Sequence, residues 1–157
     1  ELSKNLKISK TTANKEINML VNEGFVQKEI IGKAWQLSCN VKHEYNFSKK
    51  ISYNLEMIYK SRLITEILKE IKNSRVIILF GSYRKGDDNE ESDIDIAVEV
   101  LGNEKLKMKD LLTFSQFGYR KNVKVNLHIF SRNNINNNLL SNIANGIVLE
   151  GFLEVKK

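Results

Sequence analysis

One stretch constrains this chain more than any other: Val76 to Val100. Val76-Ile77-Ile78-Leu79-Phe80 is an unbroken apolar run, which predicts a strand buried on both faces. Ser92-Asp93-Ile94-Asp95-Ile96-Ala97-Val98-Glu99-Val100 alternates instead. Asp93, Asp95 and Ala97 therefore share one face of a second strand, while Ile94, Ile96 and Val98 take the other. Two carboxylates two residues apart on a strand point the same way. At about 5 Å and an effective dielectric of roughly 20 they repel by about 3 kcal/mol. Such a pair calls for a proton or a cation. All-oxygen ligation suits Mg²⁺, which takes one or two carboxylates and completes its shell with water and substrate phosphate.

Gly81-Ser82 follows the first strand directly. A glycine there lets backbone approach a ligand, and the serine hydroxyl with nearby N–H groups can hold phosphate oxygens. A phosphate cradle beside paired carboxylates suits metal-assisted phosphoryl or nucleotidyl transfer. Tyr83-Arg84-Lys85-Gly86 adds two cations next to that cradle, either of which could neutralise triphosphate charge. The acidic run Asp87, Asp88, Glu90 and Glu91 reads as solvated loop.

Gly81-Ser82, ten intervening residues, then Asp93-Ile94-Asp95 resembles the signature of the DNA polymerase β-like nucleotidyltransferases. The nearest branch is the minimal nucleotidyltransferases, which show Gly-Ser-x-Ala-Arg-Gly and Ser-Asp-x-Asp. The resemblance spans roughly Ile51 to Lys157. It implies a small mixed sheet flanked by helices, an NTP (ATP foremost) held by Gly81, Ser82, Arg84 and Lys85, and Mg²⁺ held by the catalytic pair Asp93 and Asp95. Lys85 stands where the branch has arginine and lacks its planar fork. Small members of the branch often pair with a helical partner protein as toxin and antitoxin, so such a partner is a further expectation.

The family places a third carboxylate on a later strand, in a Val-Asp-Leu pattern. Here the pattern reads Val125-Asn126-Leu127. An amide can ligate through oxygen but cannot act as a base at neutral pH, so the reaction is expected to be weakened, lost, or served by another group. His128, two residues on, could be that group, although an ordinary strand histidine is the plainer reading. The strand itself is expected over Asn122 to Phe130. Glu104 to Gly118 reads as a helix carrying Leu106, Leu111, Leu112, Phe114 and Phe117. Asn133 to Asn145 reads as a whole or broken helix, and Gly146 to Gly151 after it resembles the closing strand-like element of the minimal nucleotidyltransferases.

Before the central stretch, Ile51, Leu55, Ile58, Tyr59, Leu63, Ile64, Ile67, Leu68 and Ile71 form the apolar side of one long helix. His43 to Lys50 is polar and aperiodic and is taken as a linker, with His43 in solvent. Residues 1–42 form a separate unit. Glu1 to Lys7 is a short helical piece, Ser9 is a good N-cap, and Lys10 to Glu23 is a helix with Ala13, Ile17, Leu20 and Val21 inward. Gly24 ends it. Two short strands, Phe25 to Ile30 and Ala34 to Leu37, flank the turn Ile31-Gly32-Lys33.

This order resembles the later part of a winged helix-turn-helix, with the first helix upstream of Glu1 or missing. The resemblance places Lys10, Thr11, Thr12, Asn14 and Lys15 against double-stranded DNA and Lys33 at the wing tip. Hydroxyl and amide groups read base edges, and lysines meet phosphates. Residues 1–50 hold nine lysines against five glutamates, in a chain of net charge +6. A protein-contact or homodimerisation module is the competing reading of the same segment.

The expected architecture is therefore α+β, with a winged helix-turn-helix at 1–42, a linker at 43–50 and a minimal nucleotidyltransferase domain at 51–157. No apolar run is long enough to span a bilayer. The single cysteine, Cys39, fits a reducing cytoplasm and a small buried role. Two functions fit: an Mg²⁺-dependent transferase moving NMP to a hydroxyl beside a DNA-binding domain, or a DNA-binding regulator whose nucleotidyltransferase-like domain only senses nucleotide.

Overall fold

A computed structural model describes residues 1–154, leaving 155–157 of the expected second domain outside the described part. The chain separates into two compact units, 1–47 and 48–157, with the boundary inside the first turn of a helix.

The first unit runs α1 (Leu2–Asn5), α2 (Lys10–Asn22), β1 (Val26–Ile31) and β2 (Ala34–Cys39). The Ser9 side chain accepts from the Thr12 backbone N–H at 3.0 Å, capping α2. Gly24 follows the C-cap with φ +81°, a conformation that favours glycine. Ala13, Ile17 and Phe25 are its buried apolar residues. β1 and β2 form an antiparallel ribbon from Val26 opposite Cys39 to Ile31 opposite Ala34. Two expectations fail here. Cys39 is exposed, because it sits on a ribbon with almost no buried side chains. His43 is half-buried, with its ring centroid 4.0 Å from that of Phe25, so its apolar edge covers a core too small to close without it.

The second unit holds α3 (Asn46–Lys60), α4 (Leu63–Glu70), β3 (Ser74–Phe80), α5 (Gly81–Lys85), β4 (Ile94–Val100), β5 (Lys107–Phe117), β6 (Arg120–Phe130), α6 (Asn137–Ala144) and β7 (Ile147–Gly151). The polar stretch 46–50, expected as linker, is the opening of α3. The expected single helix is two, because Arg62 takes a left-handed conformation, φ 60° and ψ 20°, between α3 and α4. That break lets Ile58 and Leu63 both reach zero exposure.

Five strands form one mixed sheet in the order β5-β6-β4-β3-β7. β3 lies between β4 and β7, antiparallel to both; β4 and β6 are parallel; β5 returns antiparallel on β6. As its apolar run requires, β3 is buried on both faces from Val76 to Phe80. On one face Ile77, Leu79, Ile94, Ile96, Val98, Val125 and Leu127 pack with Ile58, Leu63, Ile67 and Ile71 from α3, α4 and the residue that caps α4. On the other, Val76, Ile78, Phe80, Ala97 and Phe130 pack with Ile143 of α6. No helix among the described residues is long and apolar enough to cross a membrane.

β5 is the largest departure from expectation, since the spacing of its apolar residues predicts a helix. Two adjacent leucines, Leu111 and Leu112, both pack on the α3–α4 side. A bulge between Asp110 and Leu112 makes that possible. One extra residue breaks the alternation that marks a strand and leaves a spacing that mimics a helix.

Candidate active site

The site stands where β3 ends and β4 begins. Phe80 is the register partner of Asp95, and Asp95 is the register partner of Asn126 on β6. Both aspartates are half-buried, on the face that carries Phe80 and Ala97. The Asn126 amide lies between them: Nδ2 donates to Asp93 Oδ2 at 3.2 Å and lies 3.5 Å from Asp95 Oδ1. The N–H groups of the amide temper the repulsion between two like charges. Among the described residues no lysine or arginine pairs with either aspartate. The nearest cationic candidate is His128, whose Nε2 is 3.6 Å from Asp95 Oδ1 and whose ring meets Phe80 edge-on at 4.9 Å.

Gly81 has φ +72°, and a Cβ built on it would lie 2.7 Å from Asp95 Oδ2. Backbone and carboxylate are therefore close, and any side chain at 81 would take a disfavoured φ and displace the Asp95 carboxylate. Ser82 and Arg84 follow half-buried in α5, with Lys85 exposed. The Ser82 hydroxyl has no protein partner among the described residues, and the Arg84 Nε is buried without one. Gly81, Arg84 and Lys85 line a cavity of about 210 Å³ with Phe80, Asn142 and Asn145. Asn142 and Asn145, from the end of α6, carried no signal in the sequence beyond asparagine-rich composition.

The two carboxylates are oxygen donors of the kind a hard cation takes, with no lysine or arginine paired to either among the described residues; Asn126 presents its nitrogen to them and would have to turn its oxygen inward to join. The Arg84 Nε and the Ser82 hydroxyl are polar groups without a protein partner among the described residues.

Behind α5 lies a network the sequence did not reveal. Asp88, expected in solvent, is 5 % exposed. It accepts from Asn54 Nδ2 at 2.8 Å, pairs with Lys50 at 3.4 Å and lies 3.8 Å from Arg120. A partnered carboxylate can be buried where a free one cannot. Arg120 also donates to the Tyr83 hydroxyl and to the Glu90 and Ser92 carbonyls, the latter two at 2.8 Å. Burial pushes the Tyr83 hydroxyl up to about 12, against the opposing pull of Arg120. These contacts tie α5 and the loop before Asp93 to α3 and β6. Farther along β4, Glu99 is buried and held by Arg132, Nε to Oε1 at 3.1 Å.

In the first unit Thr11, Thr12, Asn14, Lys15 and Lys33 are exposed, as is Lys10. Lys10, Asn14 and Lys33 rim a groove of about 710 Å³ floored by Ala13, Ile17, Trp35 and Leu37. The Thr12 hydroxyl is engaged with Ser9 Oγ at 2.8 Å, in the cap of α2.

A family model described as Polymerase beta, Nucleotidyltransferase matches residues 62–150, from the start of α4 through most of β7. Among curated proteins none matches the chain.

Proposed function

The chain belongs to the polymerase β nucleotidyltransferase family, and from that premise we propose that its second unit binds a nucleoside triphosphate, ATP foremost, and transfers NMP to a hydroxyl with Mg²⁺. The observation that carries this reading is the close approach of the Gly81 backbone, φ +72°, to the Asp95 carboxylate. Asp93 and Asp95 would hold the metal, whose part is to offset charge on the phosphoryl oxygens. Gly81 would let the triphosphate approach backbone, the Ser82 hydroxyl would donate a hydrogen bond to a phosphate oxygen, and Arg84 and Lys85 would offset its charge. The Arg84 Nε, buried and unpartnered, supports an anionic ligand in the adjoining cavity. Holding the triphosphate beside the carboxylates supplies orientation, a large part of catalysis in phosphoryl chemistry. Incubation with α-labelled ATP, Mg²⁺ and hydroxyl acceptors is the test. Label should pass to an acceptor with wild type and fail with Asp93→Ala/Asp95→Ala; equal signal from both would refute transfer.

One observation favours a second reading. The amide of Asn126 sits where its family has a carboxylate, so the domain could bind nucleotide without turning it over. The first unit, with its exposed lysines and its helix–helix–ribbon order, would then make the chain a DNA-binding regulator that senses nucleotide.

A further inference from the structure

Asn126 leaves β6 without a carboxylate to take a proton, and the register of the sheet indicates where one comes from instead. In the β5–β6 ladder Asp110 stands directly opposite Asn126. Asn126 stands beside Asp95, and Asp95 beside Phe80. The four residues make one row across four strands. Opposed residues of an antiparallel pair direct their side chains to the same face, with Cβ atoms about 5 Å apart.

The neighbours of Asp110 support that face independently. Lys109 stands opposite Leu127, a member of the core on the α3–α4 side, and its ammonium meets Glu70 of α4. Alternation turns the next residue to the other side. The bulge then begins, so that Leu111 and Leu112 both return to the α3–α4 side while Asp110, like Met108 opposite His128, is left on the face of Asn126. Bulges recur beside active sites, where they re-aim a side chain. Asp110 is exposed and has no ion-pair or hydrogen-bond partner among the described residues. The flanking lysines, Lys107 and Lys109, are engaged with Glu104 and Glu70 instead.

We propose that Asp110 is the general base for the incoming hydroxyl, a role that rests on the nucleotidyltransferase reading above. The hydroxyl oxygen attacks the α-phosphorus and a new O–P bond forms. The bond from that phosphorus to the bridging oxygen breaks, and pyrophosphate leaves with its electron pair. The proton of the hydroxyl passes to the Asp110 carboxylate. Asp93 and Asp95 take no part in the proton transfer, which frees them to bind.

The test uses the full chain with α-labelled ATP and Mg²⁺, and with water, RNA and protein hydroxyls as acceptors. Pyrophosphate release and labelled product are read for wild type, Asp110→Asn, Asn126→Asp and the double variant. Asp110→Asn should lose about 100-fold or more in turnover, the scale of a positioned base. Its ATP affinity by calorimetry and its melting temperature should match wild type. The acid limb of the pH–rate profile should vanish with Asp110→Asn and reappear in the double variant, where a carboxylate at 126 takes the proton. Wild-type turnover from Asp110→Asn would overturn the proposal and leave the transferase reading standing. Activity in Asn126→Asp from an inactive wild type would overturn it too, since the native chain would then lack any base. No turnover from any variant, Asn126→Asp included, would sink the transferase reading and this proposal with it.

Discussion

Gly81 is where a single methyl group has the most consequence. Its φ of +72° already disfavours a side chain, and the Cβ would press on Asp95 at 2.7 Å. Gly81→Ala should cost about 1–2 kcal/mol in stability from backbone strain, read by thermal unfolding. Misplacing the carboxylate by even about 1 Å should lower transfer by about 100-fold, a loss larger than the stability change explains. The placement of Gly81, Asp93 and Asp95 is legible in the sequence because it is local: a turn after a buried run, and a period of two. Asp88, Arg120 and Glu99 were not. Nothing within a few residues of Asp88 foretells Asn54 or Arg120, so an acidic loop and a buried carboxylate look alike until the chain folds. Cys39 misled for the opposite reason, since its type is usually buried while its ribbon is not.

Strands and helices show the same division. β3, β4 and β6 follow from apolar runs and alternation, and Ser9 and Gly24 mark the ends of α2 as their chemistry predicts. β5 escaped because its bulge erases alternation where alternation would have identified it, and the α3–α4 break escaped because Arg62 is an ordinary residue in an unusual conformation. α5 is held to its surroundings by Tyr83 and Arg120, and this anchoring has a pH signature. Burial raises the Tyr83 hydroxyl to about 12. The neutral phenol is the form the fold prefers, so its contribution is complete below the ordinary tyrosine value of about 10 and is lost as pH climbs toward 12. The loss is on the order of 2 kcal/mol. Denaturant unfolding at about pH 9 and about pH 11.5 should show wild type weakening more than Tyr83→Phe. Equal slopes would mean the phenol is already solvated.

At the scale of the whole chain, the second unit carries a continuous sheet with cores on both faces, while the first closes around Ala13, Ile17 and Phe25. The boundary near residue 47 was approachable from sequence because polarity rises and periodicity lapses there, although α3 begins inside the stretch that looked unstructured. If the first unit binds duplex DNA, affinity should fall steeply with salt, and Lys10→Ala/Lys15→Ala should weaken it and reduce the log–log salt slope by about 0.9 for each phosphate no longer neutralised. Filter or fluorescence titration over a salt series checks this, and binding unchanged by the substitutions would remove α2 from the interface.

The place of β7 dictates an order of birth. β3 is the first strand of its sheet to be made, yet one of its two neighbours, β7, is the last strand among the described residues. While the intervening chain is being made, the most apolar strand of the protein travels with one flank bare, a template for any stray strand it meets. The strand that leads into the glycine corner therefore gains its second partner last.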